Sequence, residues 1–167
     1  MTCNSQVSFD SFLGVVKKAR VRRRSGCPVN VSLEVFGDRW SLLIVRDMMV
    51  RTNKTFKEFL ASGEGIATNI LTDRLRRLKA AGIVTTEVDE EDGRRVNYRL
   101  TEKGIELAPV MLELLLWGAK HEKTGAPCGV MAEMAKNRKW VLAETRRRWA
   151  ERDPRPILPR FEGGPKD

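Results

Sequence analysis

The chain has 167 residues, 41% hydrophobic and 32% charged, which is a globular composition sized for one domain with short extensions. Its 31 Lys and Arg outnumber 22 Asp and Glu, and the formal charge of +9 favours a polyanionic partner, either nucleic acid or an anionic membrane face. No run approaches the roughly 20 apolar residues of a spanning helix, and Cys3, Cys27 and Cys128, odd in number and widely spaced, support neither a disulfide framework nor a zinc knuckle.

Residues 1–26 read as a loosely attached arm that ends in the basic run "KKARVRRR". Its apolar part, "SFDSFLGVV", contains an acid and precedes its charges, the reverse of a secretory signal, so the cytoplasm is the expected compartment. Gly26 and Pro28 then break the chain. "VSLEVFGDRWSLLIVRDMM" reads as two helices, the first stopped at Gly37 and the second capped by Asp38. Trp40, Leu43, Ile44 and Met48 form the apolar stripe of the second.

"TFKEFLAS" follows as a short helix, with Thr55 and Glu58 at capping-box spacing and Phe56, Phe59 and Leu60 as its core side. After the turn "SGEG", a helix is expected over about 68–81, with Leu71, Leu75 and Leu78 inward and Gly82 as its stop. "IVTTEV" and "VNYRL", on either side of Asp92-Gly93, predict a β-hairpin over about 83–100. Thr101 caps the next helix, in which Pro109 either kinks the axis or marks a new first turn. One last amphipathic helix, "VMAEMAKNRKWVLAETRRRWAER", precedes a proline-rich tail expected to lack structure from Asp153.

Helix, short helix, turn, helix, hairpin, long helix is the order of a winged helix-turn-helix. The fold class expected is therefore mainly α with a small β-hairpin. On a wheel of 100° per residue, the outward face of helix 68–81 carries Asn69, Asp73, Arg76 and Arg77, flanked by Thr72 and Arg74. Small hydrogen-bonding residues near the helix start, with arginines further along, suit a helix in the major groove of double-stranded DNA. A charged helix face alone is ordinarily just solvated. Here the capped short helix, the turn, the hairpin and the net charge point the same way. At the hairpin tip, Asp89, Glu90, Glu91 and Asp92 precede Arg94 and Arg95, and one acid, Asp92 foremost, can aim an arginine at the flanking groove or phosphates.

"CPVNVSLEVFGDRWSLLIVRDM", "FKEFLASGEGIATNILTDRLRRLKAAGIV", "RRVNYRLTEKGIELAPVM" and "WGAKH" together closely resemble the HxlR family of bacterial transcriptional regulators, over about residues 27–121. The resemblance implies a winged-helix fold, a homodimer formed by the N- and C-terminal helices and a palindromic operator, bound as repressor or activator, with repression the expectation. It places the reading helix on Thr68 to Arg77, Thr68, Asn69 and Thr72 included, and the wing on Arg94 and Arg95. Many relatives carry serine where this chain has Ala67. The resemblance also puts Cys27 where some members sense oxidants or electrophiles, with Cys128 as a candidate partner across the dimer and Arg22, Arg23 and Arg24 available to favour a thiolate. The plainer reading makes Cys27 a small packing residue of the dimer seam.

The apolar run "VMLELLLWG" independently suggests burial against a second subunit. Residues 122–167 form a C-terminal extension beyond the 27–121 domain, and Arg146, Arg147 and Arg148 there either supplement DNA binding or finish a solvated helix. No paired-acid motif, G-x-S-x-G or phosphate-cradling glycine loop points to an enzyme, and no cofactor motif is present. His121 with Cys128 falls short of a metal site. Two alternatives remain: a MarR-like regulator answering a small-molecule effector, though no pocket is evident beyond the dimer seam, and a protein-interaction adaptor. The partners expected are double-stranded DNA, a second copy of the chain and a small-molecule or oxidant effector, with no membrane.

Overall fold

The computed structural model describes residues 25–89 and 92–157. Eight helices and two strands follow one another in the described chain: α1 (Pro28–Phe36), α2 (Arg39–Val50), α3 (Phe56–Leu60), α4 (Thr68–Ala80), β1 (Val84–Val88), β2 (Val96–Leu100), α5 (Glu102–Ile105), α6 (Ala108–His121), α7 (Cys128–Lys136) and α8 (Arg138–Glu151). Residues 1–24 of the arm, the acidic tip residues Glu90 and Glu91, and residues 158–167 of the tail lie outside the described residues.

Local chemistry accounts for most of these boundaries. Asp38 accepts from the N–H groups of Trp40 and Ser41 and so caps α2. The capping box at α3 is complete, with Thr55 Oγ1 accepting from the Glu58 N–H and Glu58 Oε2 from the Thr55 N–H. After α4, Gly82 turns the chain with φ +70, a region a side chain disfavours. Thr101 caps α5 by accepting from the Gly104 N–H. Pro109 sits in the first turn of α6, where a missing N–H costs nothing, so it starts a helix rather than kinking one.

The main core gathers one face from each element. Ile44, Val45 and Met49 of α2 and Phe59 of α3 meet Leu71, Leu75 and Leu78 of α4. Ile83, Val84, Leu100 and Ile105 close it below the hairpin. The three leucines of α4 are at most 3% exposed, and burying each contributes about 1.5–3 kcal/mol. β1 and β2 pair antiparallel from Val84↔Leu100 to Val88↔Val96. An isolated bridge, Thr55↔Asn97, and a hydrogen bond from the Tyr98 N–H to the Lys54 carbonyl (2.6 Å) tie the hairpin to the start of α3. Tyr98 also meets Phe59 edge-on at 6.1 Å. These contacts place β2 beside the start of α3.

Two expectations for the C-terminal region need correction. The final helix is not continuous: Asn137, at φ −109 and ψ 34, divides it into α7 and α8. Its side-chain amide donates to the carbonyl and carboxylate of Glu133, a local alternative to helical bonding. The break lets Met131, Met134 and Val141 fold onto Leu112 and Leu116 of α6 as a second core. The tail is not loose as far as Ile157 either. The Ile157 N–H donates to the Val50 carbonyl (3.1 Å), and Thr52 Oγ1 donates to the Pro154 carbonyl (3.0 Å). Arg148 donates to the carbonyls of Arg155 and Pro156. A proline-rich segment with few N–H groups is thus held largely through its carbonyls.

Candidate nucleic-acid interface

Burying Leu71, Leu75 and Leu78 turns Thr68, Asn69, Thr72, Arg76 and Arg77 outward, and all five are exposed. Ala67 occupies the N-cap of α4 without a side-chain hydrogen bond, so no side chain covers the first-turn N–H groups. The Thr72 hydroxyl donates back to the Thr68 carbonyl at 2.8 Å, which leaves its oxygen able to accept.

Asp73 organises the charges of this face. Its carboxylate meets Arg74 at 2.9 Å, Arg76 at 2.9 Å and Arg77 at 2.7 Å. The hydrogen bond from Arg76, with the charges of Arg77 and Arg74, holds the Asp73 carboxyl below its usual range although burial opposes them. Arg76 and Arg77 keep side-chain exposures of 76% and 62%.

Arg74 is different. Its side chain is 19% exposed and turns inward, where Nε lies 2.9 Å from Asp38 Oδ1. That contact is ionic without good hydrogen-bond alignment. Asp38 is therefore shared between the α2 cap and the reading helix. Burial raises its carboxyl pKa, but the Ser41 hydroxyl and N–H, the Arg74 charge and the Trp40 N–H outweigh that and bring it below normal. The outward role expected for Arg74 gives way to an internal link from α4 to α2.

At the wing, Asp92 accepts from the Arg94 N–H (3.1 Å) and faces Arg94 Nε at 3.4 Å and Arg95 Nε at 3.7 Å. Asp89 anchors the turn below them, accepting from the Asp92 N–H (3.1 Å) and from Asn97 Nδ2 (2.7 Å). The Asp92 carboxylate thus holds both wing arginines, which remain exposed. Val88 and Val96, opposite each other in the register, add an exposed apolar pair beside them that sequence inspection missed. Alternation along the two strands was the available signal.

The other candidates lie elsewhere. Cys27 is the exposed N-cap residue of α1, and the N–H groups of Asn30 and Val29 lower the pKa of its thiol, with burial opposing only slightly. Cys128 is an exposed free thiol opening α7. Arg146, Arg147 and Arg148 are paired internally with Glu102, Glu144 and Glu151, and the Arg147 and Arg148 hydrogen bonds hold the Glu144 carboxyl down to about 2. His121 ends α6 beside Trp117, with ring centres 5.3 Å apart. A half-open apolar cavity of about 500 Å³, which sequence inspection missed, lies between α2, α6, α7 and α8. Among the described residues no helix is long and apolar enough to cross a membrane.

The profile described as HxlR-like helix-turn-helix matches residues 35–125, more than half of the chain. The chain belongs to the HxlR family. This HxlR-family protein is 37% identical over 105 residues to YybR of Bacillus subtilis, an uncharacterized HTH-type transcriptional regulator, covering 63% of this chain and 83% of YybR. YdeP of the same organism, described in the same words, is 34% identical over 97 residues, 58% of this chain and 75% of YdeP. Among solved structures, the redox regulator HypR in its oxidized form superposes with a TM-score of 0.53 at 36% identity, covering 59% of this chain and all of HypR. Its reduced form gives 0.51 at 36% identity, covering 56% and 92%. With the order of elements and the antiparallel hairpin, these relatives make this HxlR-family chain a transcriptional regulator of the winged helix-turn-helix class.

Proposed function

We propose that this protein binds a palindromic operator in double-stranded DNA as a homodimer and acts as a repressor. Residues 27–121 form the binding domain, residues 1–26 an arm and residues 122–167 an extension. α4 enters the major groove. Thr68, Asn69 and Thr72 reach base edges, Arg76 and Arg77 reach bases or phosphates, and Arg94 and Arg95 hold the flanking groove. The observation that carries this reading is the exposed row of Thr68, Asn69, Thr72, Arg76 and Arg77 on a helix whose opposite side is fully buried.

The dimer has its own support. Val29 and Leu33 on α1 and Val110, Leu114 and Trp117 on α6 are large, apolar and exposed. Leu114 also lines the apolar cavity, so a second copy packed there covers both.

The test is fluorescence anisotropy on a fragment of the gene's own upstream DNA at two salt concentrations. Arg76→Ala/Arg77→Ala is expected to weaken binding at least tenfold and to flatten the salt dependence by up to about two contacts. Unchanged affinity in a folded double variant rejects α4 as the reading helix. A reporter fused to the same promoter, silent with the protein and active without it, supports repression; the reverse shows activation.

The exposed, acidified thiol of Cys27 favours a second reading, in which regulation is oxidative. Two thiols, Cys27 and Cys128 of opposite subunits, would lose two electrons and two protons to an oxidant such as diamide and form a disulfide. Repeating the titration after diamide treatment, with Cys27→Ser as control, decides it. Release from DNA in wild type but not in Cys27→Ser supports the sensor; equal binding in both leaves Cys27 a structural residue.

A further inference from the structure

α8 and the chain following it lie beyond residues 35–125, yet they grip the hairpin at several points along its length. Trp149 Nε1 donates to the Leu100 carbonyl (2.9 Å) at the last residue of β2. Arg99, one residue earlier, donates to the Trp149 carbonyl (2.9 Å) and stacks its guanidinium over the Trp149 ring at 5.1 Å. On the neighbouring strand, Glu87 receives both arms of the Arg152 guanidinium, at 2.8 and 3.2 Å. Arg146 reaches Glu102 at 2.6 Å, just past the end of β2.

Two described non-glycine residues have positive φ, one ending α8 and one just after α2 in contact with the chain that follows α8. Arg152 ends α8 at φ 56, and Thr52, at φ 60, donates to the Pro154 carbonyl. Such a conformation costs about 1 kcal/mol or more, most for a β-branched residue such as Thr52. Surrounding contacts must therefore hold both residues in place. At Arg152 that conformation accompanies the bond from the Asp153 N–H to the Arg148 carbonyl (3.0 Å) and the fork on Glu87. One helix end thus holds both strands of the wing, β2 at its base and β1 near its tip end.

We propose that α8 braces the wing, with Trp149 and Arg152 as positioning residues that set how Arg94 and Arg95 meet DNA. This inference rests on the DNA-binding reading above. β1 and β2 form a two-stranded ribbon tied to the start of α3 only through β2, by the Thr55↔Asn97 bridge and the Tyr98–Lys54 hydrogen bond, and so small a unit needs further contacts to hold its angle. Arg99 fixes β2 to α8, and Glu87 fixes β1 to Arg152. Arg99 and Leu100 lie at the base of β2 and Glu87 one residue before the tip end of β1, so a tilt of the hairpin on α8 is carried to the two arginines.

The test uses the full chain in four forms: wild type, Trp149→Phe/Arg152→Gln, Arg94→Ala/Arg95→Ala, and the four-fold combination. Trp149→Phe keeps an aromatic ring and removes the N–H, and Arg152→Gln keeps length and removes the fork. Anisotropy on the upstream fragment is expected to show severalfold weaker binding in the brace variant, with a shallower salt slope. In the combination, the brace substitutions are expected to add nothing beyond the loss from the wing arginines, because they act through them. Additive losses would overturn the proposal.

Amide hydrogen exchange gives the second readout, independent of DNA. The brace variant is expected to exchange faster across residues 84–88 and 96–100, while 71–78 of α4 stays protected as in wild type. Unchanged exchange in the hairpin, or equal acceleration in α4, rejects a brace. Wild type without salt-sensitive binding removes the DNA reading and with it the wing's positioning role; the exchange data then still accept or reject the grip of α8 on the hairpin.

Discussion

Asp38 serves two elements at once, capping α2 and holding Arg74 of α4. Arg74 and its neighbours therefore differ in what they stabilise, although all three sit on one short stretch. Arg74→Ala removes a largely buried cation and leaves Asp38 without its ion pair, so thermal or urea unfolding is expected to show a loss of about 1–2 kcal/mol. Arg76→Ala removes a side chain that is 76% exposed and is expected to change stability by about 0.5 kcal/mol or less. Equal destabilisation by the two would contradict the inward placement of Arg74. On the proposed reading, only Arg76→Ala weakens DNA binding directly.

α5 shows how closely the hairpin, the helix stop and the core are fitted. A Cβ on Gly104 would lie 2.2 Å from the Ile83 carbonyl oxygen and 3.1 Å from Leu100 Cδ2. The nearer atom is backbone, so Gly104→Ala must shift α5 against the sheet, and a loss of about 1–3 kcal/mol in denaturant unfolding is expected. Most elements from α1 to α6 were legible because their determinants are local: the Asp38 and Thr101 caps, the Thr55–Glu58 box, the Asp92-Gly93 turn, Gly82 and Pro109. The division at Asn137 was hidden, because apolar residues keep helical spacing across it. The inward turn of Arg74 depends on Asp38, 36 positions earlier, and the Trp149 contacts reach back about 50 residues. No local pattern carries such pairings.

At the scale of the whole molecule, the apolar surface of α1 and α6 separates a monomer from the proposed dimer. Leu114→Glu/Trp117→Glu places two charges on that surface, both at exposed positions of the single chain. Light scattering is expected to give twice the chain mass for wild type and a single chain mass for the variant, with helical content retained. A variant that stays dimeric assigns the interface elsewhere. A further consequence follows from the two carboxylates, Asp73 and Asp92, each of which sits among outward arginines. On the proposed reading, each mimics a phosphate that DNA must displace. A protein of charge +9 would otherwise linger on any duplex it met. These internal competitors shorten each stay on unrelated sequence, where no base contacts repay their displacement, and so speed the search for the few sites where a long stay is useful.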